Sequence, residues 1–319
     1  MEPIRTAVIG VGAFGQNHAR VYSQLPDVEL VAAVDQDAGR AQAVAKQFGC
    51  QALTDPSEIF ESAQAVSLAV PTALHADLGV KLLEAGLDVL VEKPIAADLA
   101  ASDRLIDAAA RNGRILQVGH LERFNPAVEA ALEIADLPLF FEVHRLNQFS
   151  ARSLDVDVVL DLMIHDLDIV LALSKSPISR IEAAGVPVMS TKADISSVRL
   201  VFENGCVANL TASRVSTEKV RKLRFFQPRQ YVSIDYARQD GVTIRLDDQN
   251  RPQFQQIRPS HEEPLTRQLA AFIECVRSRT PPLVDGAAAK RALEAALRIR
   301  AEMERHAAII DATMKSRTS

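Results

Sequence analysis

Residues 4–15 read Ile4-Arg5-Thr6-Ala7-Val8-Ile9-Gly10-Val11-Gly12-Ala13-Phe14-Gly15, an apolar run that stops at a glycine and passes through Gly-x-Gly-x-x-Gly into the helix-compatible segment 16–25. That is a strand, a glycine turn and a helix in succession. Each glycine answers a physical need. Gly10 permits a tight turn, Gly12 leaves backbone bare for the approach of a pyrophosphate, and Gly15 lets the helix lie against the strand with its N-terminal amides facing the phosphates. Ala13 and Phe14 lie inside the same turn and belong to the candidate cofactor surface. The motif alone is common, and its context carries the argument. A second apolar strand over 28–34 ends at Asp35, 20 residues after Gly15, the spacing at which an acid meets the ribose of a dinucleotide. Asp35 accepts hydrogen bonds from a ribose diol and repels a 2′-phosphate, which favours NAD over NADP. The other reading of Asp35 is a cap for the helix beginning near Ala38.

The pattern then alternates: helix 38–48, strand 65–70, helix 74–83 closed by Gly86, strand Val89-Leu90-Val91, helix 99–110 closed by Gly113, and strand 115–118. Strands alternating with helices make a parallel sheet with right-handed crossovers, so residues 1–120 are expected to form a doubly wound NAD-binding domain. Glu92-Lys93-Pro94 follows one of these strands. Pro94 cannot continue the ladder, so Lys93 falls at the carboxyl end of a buried strand, where open α/β sheets bind ligands.

After Gly119 the periodicity changes. A helix over 125–135 and a strand over 139–146 precede runs at 197–202 and 207–211 that flank Glu203-Asn204-Gly205, a strong hairpin signal. Further runs at 223–226, 231–236 and 242–246, then helices over 265–277 and 287–306, predict that 121–319 is an α+β domain with a large, open, mostly antiparallel sheet. Within it, 155–173 reads as an apolar helix carrying Asp161, His165 and Asp168 at i, i+4 and i+7, one face of an α-helix. Three readings stay open: a general acid/base, since histidine titrates near neutrality; a metal site, whose remaining ligands are not visible; and a satisfied polar stripe at a domain interface.

The chain's 319 residues, 48% hydrophobic and 24% charged, suit two globular cores. A net charge of −5 argues against nucleic acid or an anionic membrane as partner and favours a small molecule. Cys50, Cys206 and Cys275 are odd in number and lack metal or redox spacing, so no metal is assigned and a reducing compartment is expected. The strand beginning at Ile4 leaves no room for a secretion signal, and the protein is expected in the cytoplasm.

Gly10-x-Gly12-x-x-Gly15-x-x-His18, Asp35, Glu92-Lys93-Pro94 and Asp161-x-x-x-His165, in that order, resemble the Gfo/Idh/MocA oxidoreductases over nearly the whole chain. Val70-Pro71-Thr72 with His75 resembles the family's cofactor loop. The resemblance implies a nicotinamide site that includes Pro71, Thr72, His75, Glu92 and Lys93, and a substrate site on the second domain. It implies that Lys93 and His165 flank the reacting hydroxyl with Asp161 beside them, that the Lys93–Pro94 bond is cis, and that the chain forms homodimers or homotetramers through the large sheet. It also implies an NAD(P)-dependent dehydrogenase of CH–OH groups on a sugar or sugar nucleotide. One departure is the absence of glycine from Ser153-Leu154-Asp155-Val156-Asp157-Val158-Val159, just before the His165 helix. Together with Gly119-His120-Leu121-Glu122-Arg123-Phe124-Asn125-Pro126 and Phe149-Ser150-Ala151-Arg152-Ser153, it is most similar to the branch that oxidises the 3-hydroxyl of UDP-N-acetylglucosamine for lipid A. Arg123 and Arg152 would suit a substrate phosphate or carboxylate, or lie on the surface. The cluster Arg214, Lys219, Arg221, Lys222 and Arg224 would suit a diphosphate or a solvated strand edge. Alternatives within the fold are a dehydrogenase of a free sugar or inositol-type polyol and an NAD-dependent glycosidase. A silent sensor should lack Lys93 or His165, and both are present.

Overall fold

The computed structural model describes residues 2–149 and 156–318. The chain divides into two compact units, 1–124 with 262–290 and 125–261 with 291–319. The first holds β1 (Ile4–Ile9), α1 (Gly15–Tyr22), β2 (Val28–Val34), α2 (Ala38–Phe48), β3 (Gln51–Leu53), β4 (Ala65–Leu68), α3 (His75–Glu84), β5 (Asp88–Val91), α4 (Leu99–Asn112) and β6 (Leu116–Val118). Its strands are parallel in the order β3-β2-β1-β4-β5-β6, so the sheet winds outward in both directions from β1 and β4. β4 and β5 are buried along their whole length, which is why they read as mostly apolar runs, interrupted only by Ser67 and Asp88, and not as alternation. The reversal of strand order between β1 and β4 opens the crevice in which such sheets bind ligands, and the glycine turn stands at its mouth.

The sequence pattern placed 262–290 with the second domain, whereas in the structure these residues return to the first. Non-local bonds account for this. Arg279 reaches both carboxylate oxygens of Asp88, at 2.6 and 3.1 Å, and Gln117 Nε2 donates to the Gln268 carbonyl at 3.1 Å. Leu265, Leu269 and Phe272 complete a core with Val8, Tyr22 and Leu90.

The second unit holds α5 (Pro126–Ile134), β7 (Phe140–Leu146), a π turn (Val159–Met163), α6 (Ile164–Ser174), β8 (Ile178–Val186), β9 (Ile195–Phe202), β10 (Val207–Ser213), β11 (Val220–Gln227), β12 (Gln230–Asp235), β13 (Asp240–Leu246) and β14 (Pro252–Ile257). α7 (Pro264–Ser278) lies in the first unit, and α8 (Gly286–Thr318) passes from the first to the second after Lys290. The eight strands run β14-β13-β12-β11-β7-β10-β9-β8, antiparallel except for β7 with β10. Asn204-Gly205 turns the β9–β10 hairpin with Gly205 at φ 86°, a conformation few side chains tolerate. Alternation along β7 buries Phe141, Val143 and Arg145 and leaves Phe140, Glu142 and His144 on the other face. The buried face packs with Ile164, Leu167 and Ala296 into one core.

Candidate functional site

In the first unit the glycine turn has the shape its sequence requires. A Cβ on Gly10 would stand 2.5 Å from the Ala69 carbonyl oxygen, and one on Gly15 would stand 1.9 Å from that of Gly10, so neither position admits a side chain. At Gly12 the nearest atom to an added Cβ is Arg40 Nη1 at 4.0 Å, so the backbone here faces open space. α1 begins at Gly15 with no side-chain cap; the turn closes on itself, the Gln16 amide donating to the Gly12 carbonyl at 3.0 Å and the Asn17 amide to that of Phe14 at 2.9 Å, and the positive end of the helix faces the turn. Phe14 and Ala13 are exposed at the turn. These residues fit a dinucleotide.

Asp35 is buried and ties the turn to β2. Its Oδ2 accepts the Val11 amide at 3.0 Å and its Oδ1 the Asp37 amide at 2.9 Å. The cap of α2 is Asp37, which accepts the Arg40 amide at 3.1 Å, so Asp35 is not the helix cap. Arg40, five residues beyond Asp35 in sequence, folds back to within 3.4 Å of it.

Pro71 is exposed and Thr72 partly so. His75 is buried, with Nδ1 3.0 Å from the Pro94 carbonyl and Nε2 2.9 Å from that of Val70. Both ring nitrogens thus face backbone carbonyls, and the ring bridges the loop after β4 to the Lys93 turn. Burial pushes its imidazole below the ordinary range, against the pull of the two carbonyls. The Lys93–Pro94 bond is cis. Glu92 follows the end of β5, with its amide on the Leu68 carbonyl at 3.0 Å. Its Oε2 accepts the Lys93 amide at 3.3 Å, and its Oε1 lies 3.2 Å from His18 Nε2. Arg123 is buried at 8% exposure in a short 3-10 turn, Leu121–Phe124, so it is not a surface arginine.

In the second unit the His165 helix is not a plain α-helix. Residues 159–163 form a π turn, a widened turn that is frequent at functional sites, and α6 starts at Ile164. The one-face stripe expected of Asp161, His165 and Asp168 divides accordingly: Asp161 and His165 are partly exposed, while Asp168 is buried at 3%. Among the described residues no three His, Cys, Asp or Glu side chains are grouped to hold a metal. Arg152 lies outside the described residues, as does Asp155, the expected first residue of that helix. Of the basic cluster, Arg214 is buried on Asp194 at 2.8 Å. Arg221, Lys222 and Arg224 stand on β11, which is flanked by β7 and β12, so they do not mark a strand edge.

Two residues that the sequence reading passed over hold this segment. Asp157 Oδ1 accepts the amides of Val159 and Leu160 at 3.0 and 3.1 Å, capping the π turn, while Oδ2 meets Arg300 Nε at 2.8 Å. An acid just before an apolar run is the signal that would have found it. Asp166, next to His165, receives Arg145 Nε at 2.7 Å and Nη2 at 2.9 Å. Cavities of about 480 Å³ by Lys175 and Arg298 and about 500 Å³ by Arg114 and Pro282 contain none of the predicted site residues. No described helix is long and apolar enough to cross a membrane.

Comparison with known proteins gives two family matches: an oxidoreductase family with an NAD-binding Rossmann fold over residues 4–120, and the GFO/IDH/MocA C-terminal domain over 137–230. The UDP-N-acetylglucosamine 3-dehydrogenase of Acidithiobacillus ferrooxidans is 33% identical over 94% of this chain and 97% of its own. A solved structure of that enzyme superposes with a TM-score of 0.91 over 96% of this chain and 99% of that one. The scyllo-inositol 2-dehydrogenase (NAD(+)) of Bacillus subtilis is 28% identical over 88% of each chain.

Proposed function

Because the chain belongs to the GFO/IDH/MocA family and is an NAD-dependent dehydrogenase of CH–OH groups, we propose that it oxidises the 3-hydroxyl of UDP-N-acetylglucosamine. The carrying observation is the likeness to an enzyme of that name along 94% of the chain, both units included. NAD, held by Gly10, Gly12, Gly15 and Asp35, supplies the hydride acceptor when bound. The chain's own residues manage the proton. His165 takes it from the hydroxyl, Asp161 orients the imidazole, and Lys93 donates a hydrogen bond to the same oxygen as negative charge develops there. Pro71, Thr72 and Glu92 border the cofactor, and Arg123 and Arg152 serve the substrate's phosphates. The first unit is then the cofactor domain and the second the substrate domain.

The second unit also supports an oligomer. Val201, Val207, Phe140, Phe226, Tyr231, Ile244 and Phe254 are successive cross-strand partners, making one apolar row from β9 to β14. Phe254 is 71% exposed, and we take this face as the contact between copies in a homodimer or homotetramer. The unpaired cysteines agree with a cytoplasmic enzyme, and a 3-keto sugar nucleotide is the substrate an amination step in lipid A assembly requires.

The test is NADH formation from NAD with UDP-N-acetylglucosamine, beside UDP-glucose and scyllo-inositol, with a ketone trap. NADH from UDP-N-acetylglucosamine alone is expected. Signal from inositol alone would transfer the assignment to the polyol reading, which the Bacillus subtilis relative favours.

A further inference from the structure

His18 lies on α1, three residues after the last glycine of the turn, and its side chain is fully buried. A buried imidazole there has no role in packing that leucine would not fill at lower cost. Its Nε2 stands 3.2 Å from Glu92 Oε1 but out of line for a hydrogen bond, and neither ring nitrogen nor Glu92 Oε1 has a hydrogen-bond partner among the described residues. Buried polar atoms left in this state call for an explanation.

The surroundings of Glu92 provide one. Its other oxygen accepts the Lys93 amide at 3.3 Å, so the carboxylate folds back over the backbone from which Lys93 projects. On a further side stands Gly119, where a Cβ would lie 2.4 Å from Glu92 Oε1, so a side chain there would push the carboxylate out of this pose. The Phe14 ring of the cofactor turn rests against the imidazole, with centroids 5.4 Å apart. The contacts therefore run from the glycine turn through His18 to Glu92 and on to Lys93, all inside the first unit.

We propose that His18 is a positioning residue for Lys93, acting through Glu92: it holds the carboxylate in the one pose that fixes the Lys93 amide and so the direction of the lysine. Apolar bulk at position 18 fills the space but cannot hold the carboxylate. A glutamine can, because its Nε2 reaches the place of the histidine Nε2. The proposal rests on the assignment of Lys93 to the reaction, and its test separates the two.

The experiment compares His18→Leu, His18→Gln and Glu92→Gln with the wild type. It measures kcat and KM on NAD and UDP-N-acetylglucosamine, NADH affinity by the fluorescence of the bound nucleotide, and hydrogen exchange of the peptide spanning residues 88–96. His18→Leu is expected to lower kcat at least about tenfold, with the KM for NAD and NADH affinity changed less than about threefold, and to speed exchange at 88–96. His18→Gln is expected to restore kcat to within about threefold of wild type and to restore protection. A folded His18→Leu with wild-type kcat and exchange would overturn the proposal, as would equal losses in the leucine and glutamine variants. Should His18→Leu fail to fold, Glu92→Gln carries the test. It is expected to show the same fall in kcat and loss of protection, and His18→Gln in its background should add nothing, whereas additive losses would overturn the coupling. Lys93→Met with full turnover would refute the assignment of the lysine while leaving the exchange result to judge His18.

Discussion

Glu92 and Asp166 each sit one residue from a side chain assigned to the reaction, Lys93 and His165, and the two carboxylates are held in opposite ways. Asp166 is locked. Both its oxygens meet the Arg145 guanidinium, at 2.7 and 2.9 Å, the two side chains are 2–3% exposed, and the arginine lies 5.4 Å from the Tyr236 ring centroid. Glu92 is only poised, against an imidazole at 3.2 Å that is not in line and a backbone amide at 3.3 Å. A bidentate pair gives α6 a fixed footing on β7. A carboxylate that rests on one imidazole and one amide depends on each of them for its pose. The contrast separates scaffold from working surface within otherwise similar chemistry.

The comparison is broken most directly at the two reacting side chains. Lys93→Ala and His165→Ala are each expected to lower kcat by about 10²–10⁴-fold, the range for loss of a positioned proton donor or acceptor. NADH binding should remain near the wild-type value, because neither side chain is needed for the glycine turn. Steady-state kinetics with parallel nucleotide titration checks this, and full activity in either variant would remove it from the mechanism.

The carboxylates themselves come next. Asp166→Ala removes the carboxylate that holds the buried Arg145 guanidinium by two hydrogen bonds and is expected to cost about 3–5 kcal/mol of unfolding free energy. Glu92→Gln, which leaves no charge stranded, should cost less than about 1 kcal/mol of stability while reducing turnover. Urea unfolding of both variants beside their kinetics sharpens the distinction, and equal destabilisation would erase it.

That asymmetry also explains what was legible in the sequence. Gly10, Gly12, Gly15 and Asp35 could be read because strand, turn and helix are consecutive, and each residue's demand is local. Lys93 could be read because Pro94 ends its strand. The return of 262–290 to the first unit depends on Arg279 meeting Asp88, 191 residues away, and no local pattern announces such a pair. The π turn at Val159–Met163 was equally hidden, since an apolar run of that length satisfies an α-helix template. Asp166 escaped notice because the stripe through Asp161, His165 and Asp168 drew the reading to another face, while its partner Arg145 arrives from a strand.

At the cofactor end, Asp35→Ala removes a carboxylate that would accept from the ribose diol and that already accepts the amides of Val11 and Asp37. The loss is expected to weaken NAD binding by about 1.5–3 kcal/mol, the worth of hydrogen bonds to a charged group. It also releases Arg40, which stands 3.4 Å from Asp35, to meet a 2′-phosphate, so NADP should lose less affinity than NAD or gain some. Titration calorimetry with both nucleotides decides the point. An unchanged NAD affinity would mean that another residue reads the ribose.

The smallest effect concerns His75, whose ring faces the Pro94 carbonyl in the Lys93 turn. Burial lowers its imidazole below the ordinary range in the folded chain, even though the Pro94 and Val70 carbonyls, at 3.0 and 2.9 Å, would both welcome the second proton. The unfolded chain therefore binds that proton more readily than the folded one. Stability is full above the ordinary histidine value of about 6.5 and falls as pH drops through it toward the lower folded value. Urea midpoints for wild type and His75→Gln, measured from neutral pH down to mildly acid pH, should converge as pH falls, because only the wild type carries this loss. Parallel curves would mean that His75 takes up its proton as easily folded as unfolded, and that the two carbonyls fully offset burial.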